Sequence, residues 1–160
     1  MRAQSVLGIL AALVPAAAFG VGDQGPNMLG FYFDSGAEQW YTCCHQFSVV
    51  DSYLILTNPT IPEITGWEAE FAVQGTAWVM EPALPHGGVN SLSGQAFSVT
   101  YDAPLQCVGP TVLLSVPLIP IDVTCNCIRL FGIDAPSIPG NLPVLYLPGG
   151  AFQQVETCVF

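Results

Sequence analysis

The sequence predicts an all-β protein, a two-sheet antiparallel β-sandwich of about nine short strands stapled by disulfides. Three observations carry this reading. Apolar and polar residues alternate with period two, most cleanly where Trp67, Ala69, Phe71 and Val73 interleave with Glu68, Glu70, Ala72 and Gln74. That is the pattern of a strand with one buried and one wet face. Turn signals built from 14 Pro and 16 Gly punctuate the chain at strand-length intervals. No long run keeps a helical period without Gly or Pro.

In chain order, Met28 to Phe33 opens the fold, with Leu29, Phe31 and Phe33 alternating against Gly30 and Tyr32. Asp34 to Glu38 is a turn. Gln39 to Phe47, rich in aromatics and Cys, reads as a strand or a stapled loop. The β-branched and aromatic run from Val49 reaches a turn signal at Asn58-Pro59. With the alternating stretch Gly66 to Gln74 it suggests an antiparallel pair whose apolar face needs a second sheet. Thr76 to Met80 is a short strand, and Glu81 to Gly94 the longest loop. Ala96 to Tyr101, Val108 to Val116 and Asp122 to Phe131 are further strands. Ile133 to Pro143 is turn-rich, and Val144 to Leu147 and Gln154 to Phe160 close the sheets.

Residues 1–20 read as a secretory signal peptide: basic Met1-Arg2, an apolar run from Val6 to Phe19, and small residues around Gly20 for cleavage. Residues 21–160 then form one domain, large enough for its own core. Loss of the leader leaves Arg129 as the single basic side chain against 12 Asp and Glu, with no lysine. That excludes a cationic surface for nucleic acid or anionic lipid, and a lysine Schiff base. Charged partners are therefore cations or basic surfaces. The chain is 51% hydrophobic and only 9% charged, where about 25% charged is usual. This suits a compact exported protein, or one that covers part of its surface with copies of itself.

The domain holds six cysteines, Cys43, Cys44, Cys107, Cys125, Cys127 and Cys158. An even number behind an export signal reads as disulfides. A hairpin of Thr111–Val116 with Ile121–Phe131 would place Cys107 across from Cys127, and that pair is the one connectivity expected. Cys43-Cys44-His45 with Cys125-Asn126-Cys127 is a soft-metal set by chemistry, but it lacks finger spacing. Glu68 and Glu70 fall on one strand face about 7 Å apart, near the separation of glycosidase carboxylates, yet a solvated strand face has the same pattern. His45 and His86 have no nucleophile elbow beside them. No cofactor is expected; the acids leave room for calcium, but no calcium-loop motif occurs. Trp40 and Trp78 are the candidate ligand-contact aromatics, whereas Trp67 shares a face with Phe71 and reads as core.

The segments Leu54–Thr60, Gly66–Glu68 and Asn27–Asp34 together resemble small secreted β-sandwich proteins of environmental bacteria. The strand layout is similar to cohesin-like and immunoglobulin-like envelope modules. The resemblance implies a fold and a compartment and brings no site residue with it. The expected function is a structural or binding module without catalytic activity, secreted, extracellular or periplasmic. A carbohydrate-binding module and a secreted metal-binding protein are the alternatives. Expected partners are a protein or glycan surface or another copy of the chain, with no nucleic acid and no membrane-spanning segment after the leader.

Overall fold

The structure, a computed structural model, describes residues 25–43, 45–122 and 127–158. The expected leader, Cys44 and Cys125 lie outside these residues. The described chain is all-β, with no α-helix among the described residues. Its strands are β1 (Met28–Tyr32), β2 (Val50–Thr57), β3 (Glu63–Gln74), β4 (Ala77–Val79), β5 (Val89–Asn90), β6 (Ala96–Gln106), β7 (Thr111–Pro120), β8 (Cys127–Phe131), β9 (Val144–Leu147) and β10 (Ala151–Gln154). The stretch expected as the longest loop contains a 3-10 turn, Pro85–Gly87, and the short β5.

Two sheets form, with antiparallel pairing between the strands. One has the order β1-β2-β7-β4; the other runs β10-β9-β3-β6-β5, with β8 also paired to β3. Leu29, Phe31, Leu54, Leu56, Leu114, Val116 and Leu118 come from the first sheet, and Trp67, Phe71, Phe97, Val99 and Leu145 from the second. All belong to one buried cluster. Phe71 joins the layers, meeting Phe31 edge-on at 5.3 Å and stacking on Phe97 at 6.0 Å.

This arrangement corrects two sequence expectations. β2 and β3 do not pair; they lie in different sheets. Residues 58–62 carry the chain across, starting at Asn58, whose φ of 45° turns it out of the strand. The reason is burial: Leu54 and Leu56 need cover, and so do Trp67 and Phe71, so opposing sheets satisfy both at once. β7 and β8 are likewise not a hairpin, because β7 pairs with β2 and β4 while β8 pairs with β3.

β3 is the organising strand. β6 runs along one side of it from Glu63 to Glu70. On the other side β9 covers Gly66 to Glu68 and β8 covers Glu70 to Gln74, end to end. The segment between β8 and β9 leaves the sheet and closes at its base, where the Gly132 N–H donates to the Asn141 carbonyl at 3.1 Å. It reaches the side of β3 that turns away from the shared core.

The expected Cys107–Cys127 bridge is absent, and no two cysteines are bonded among the described residues. Cys107 follows Gln106, which pairs with Glu63 at one end of β3, whereas Cys127 pairs with Gln74 at the other end. At roughly 3.3 Å per residue the two thiols stand about 35 Å apart along the strand. Cys43 and Cys127 are exposed thiols and Cys107 a buried one. Cys158 Sγ lies 3.4 Å from the Tyr32 hydroxyl and 2.9 Å from the place a Cβ would occupy on Gly30.

Candidate functional site

Three places bring chemistry-bearing side chains together. The first is the Gly66-Trp67-Glu68 step of β3. Gly66 lies under the Tyr146 ring, and a Cβ there would come within 2.2 Å of the Val99 carbonyl oxygen. Trp67 points into the core and donates its Nε1–H to the Tyr101 hydroxyl at 3.0 Å. Glu68 points the other way and is 1% exposed, not solvated. Its carboxylate accepts the Ser137 N–H at 2.7 Å, the Ser137 Oγ–H at 3.0 Å and the Tyr146 hydroxyl at 2.7 Å. The Tyr146 hydroxyl also lies 3.0 Å from Ser98 Oγ. Burial, with the Glu68 carboxylate adding to it, raises the Tyr146 phenol above its ordinary pKa.

This overturns the reading of Glu68 as part of a solvated strand face. Glu70, two residues along, is only half-buried, so the two acids do not share an environment. A carboxylate sealed from solvent and saturated by three donors is a fastening, since a catalytic acid must reach a substrate. It ties the loop carrying Ser137 to the central strand. The signal was missed because period two assigns a face, and this face is covered by a turn-rich segment with no periodicity of its own.

The second place is a cleft of about 520 Å³ against β2, lined by Val49, Asp51 and Tyr53 on its floor and by Asp34, Thr42, Cys43 and His45 among its wall residues. Asp51 and Tyr53 share the face of β2 opposite to Leu54 and Leu56 of the core. The wall is held by Asp34, whose Oδ1 accepts the N–H groups of Glu38 at 3.0 Å and Gln39 at 2.5 Å, while Oδ2 accepts that of Gly36 at 2.9 Å. Asp34 is thus committed to the backbone, and no hydrogen bond to the Asp51 carboxylate is found among the described residues. Cys43 and His45 of the soft-metal set both line this cleft. Cys127 does not line it; its thiol faces Gln74 Oε1 at 3.5 Å on the other sheet. Among the described residues no three His, Cys, Asp or Glu side chains converge as a metal would need.

The third place adjoins the cleft on the same sheet. Trp78 of β4 stands opposite Ile119, and the Met80 N–H donates to the Pro117 carbonyl at 2.9 Å, while Asp51 pairs with Pro117 from the other side. Leu118 points into the core, so Ile119 and Pro117 face outward with these neighbours. Trp78 is 59% exposed, Met80 42% and Val49 60%. Trp40, the other candidate aromatic, is half-buried and meets Tyr41 edge-on at 5.0 Å. Trp40 and Trp78 make no ring contact with each other among the described residues, so they form no continuous stacking row.

Comparison with family models, with curated proteins and with solved structures finds no match to this chain. Among the described residues no helix is long and apolar enough to cross a membrane.

Proposed function

We propose that the protein is an exported, non-catalytic β-sandwich module that works by binding other protein surfaces in the cell envelope or outside the cell. The observation that carries this reading is the shelf of exposed Trp78, Met80 and Val49 around half-buried Ile119 on the β1-β2-β7-β4 sheet. Grouped, exposed large apolar side chains mark contact sites. β4 has three residues, too few to recruit a neighbour through backbone pairing alone. The outward side chains therefore supply the attraction, and a fully buried side chain of this size contributes about 1.5–3 kcal/mol. The sandwich assignment rests on two sheets sharing one core cluster. Export rests on the apolar leader and the acidic, lysine-free composition.

Sedimentation velocity of residues 21–160, produced in an oxidising compartment, tests this reading. Wild type should associate as its concentration rises, and Trp78→Lys should shift the association at least about ten-fold weaker. A wild type that stays monomeric, yet is retained by immobilised polysaccharide and released by Trp78→Ala, would replace this reading with the carbohydrate-binding one. The polar cleft beside the shelf is the observation that favours that alternative.

A further inference from the structure

Arg129 is the only Lys or Arg among the described residues. It lies on β8, paired with Ala72 of β3. Phe71 and Val73 point into or pack on the core, so Ala72 and Arg129 face away from it. Arg129 is exposed and makes no ion pair among the described residues. Glu70, one pair along on the same face, is not within ion-pair distance of it. The chain thus presents one guanidinium on the outer face of the sheet built around β3.

The opposite outer face carries the complement. In the cleft beside β2, Asp34 is saturated by three backbone N–H groups. Asp51 is exposed and without a hydrogen-bond partner among the described residues, and Tyr53 stands two residues along on the same face. A carboxylate next to an aromatic ring suits a guanidinium: the planar fork pairs with the oxygens and its face lies on the ring. A bare metal ion is a poorer match, because no three His, Cys, Asp or Glu side chains converge among the described residues.

We propose that these two features meet between copies: Arg129 of one molecule enters the Asp51–Tyr53 cleft of the next. The inference rests on the binding-module reading and names its partner, a second copy of this chain. The two surfaces lie on opposite faces, so the contact is heterologous. It propagates head to tail instead of closing as a two-fold dimer. The exposed shelf of Trp78 and Met80 borders the cleft and adds apolar burial to the same contact. Each molecule carries strong net negative charge, so the pair has to hold against general repulsion, which is screened beyond about 8 Å at physiological ionic strength.

The test is sedimentation velocity at 0.15 M salt, about physiological, on wild type, Asp51→Asn, Arg129→Gln and an equimolar mixture of the two variants. Both substitutions are at exposed positions, and near-UV circular dichroism checks that each variant keeps its fold. Wild type should form species larger than dimers, and each variant alone should associate at least about five-fold more weakly. The mixture should recover dimers and nothing larger, because it retains one intact Arg129–Asp51 contact and has no second. If Trp78→Lys abolishes association while Asp51→Asn and Arg129→Gln associate like wild type, the binding face stands and the arginine contact is overturned. A wild type that is monomeric throughout overturns both.

Discussion

Glu68 shows how one side chain can be misplaced by a pattern that is otherwise right. Its neighbours alternate as a half-buried strand should, yet its carboxylate is sealed under Ser137 and Tyr146. Glu68→Ala takes the shared acceptor away from the Ser137 N–H and from the Ser137 and Tyr146 hydroxyls, so we expect a loss of about 2 kcal/mol in urea unfolding. Glu68→Gln keeps one acceptor oxygen and should lose less. A second residue-scale expectation concerns Tyr101. Burial raises its pKa to about 12, with the Trp67 hydrogen bond acting in the opposite sense. Below pH 10 the phenol is neutral in both folded and unfolded chains, and its contribution is fully present. Between about 10 and about 12 the unfolded chain ionises while the folded one does not, so stability falls as pH rises. The loss is up to about 3 kcal/mol by the top of that window. Denaturant midpoints taken from pH 9 to 12 (about the ordinary tyrosine range and above it) should decline, and the decline should be shallower in Tyr101→Phe, with the remainder supplied by Tyr146 and Cys107, whose pKa values are also raised.

At the scale of elements, β3 sets the positions of most of what surrounds it. Gly66 is required because a Cβ would meet the Val99 carbonyl at 2.2 Å, a backbone atom that cannot swing aside, and the Tyr146 ring at 2.6 Å. Gly66→Ala should therefore separate β3 from β6 or displace Tyr146, with a loss of about 3 kcal/mol or more. Amide exchange at Trp67 and Glu68 would report it. The turn-rich segment after β8 is fastened to this strand by Glu68, and Gln154 donates to the Pro139 carbonyl at 3.1 Å. It behaves as a third layer over part of one sheet. Cys107, at the turn between β6 and β7, is buried, and that burial raises its thiol pKa. Alkylation of the native protein should mark Cys43 and leave Cys107 untouched until denaturant is added. Labelling of Cys107 at the rate of Cys43 would contradict the packing of that turn.

For the whole molecule, two outer faces of different character enclose one core. One holds the cleft, Trp78 and Met80; the other holds Arg129 and the clasp of Ser137. Function is proposed from that asymmetry, and the sedimentation series tests it. The all-β class was legible in the residues, because a period of two and frequent Pro and Gly are local facts. So were β1, β2 and β9, nearly to their ends, and the inward Trp67. β7 read as Val108 to Val116 starts three residues early and stops four residues early, since Pro117 and Pro120 resemble strand breaks, although the carbonyl of Pro117 still accepts a bond from Met80. Strand pairing was not legible. β2 and β3 looked like a hairpin because they are adjacent in sequence, and Cys107 looked close to Cys127 for the same reason. Partner choice depends on which apolar faces must cover each other, a property of the folded chain alone. The same holds for the site: Asp51, Tyr53 and Arg129 carry no motif, and what they can do depends on the sheet, the face and the neighbours given to each. The sequence by itself determined the strand-forming stretches, the scarcity of positive charge and the apolar stripe of β3, because these depend only on residue type and spacing. Tertiary structure alone decided which acid is buried, which carboxylate is left open and on which face Arg129 stands, because burial and pairing arise from contacts between residues far apart in the chain.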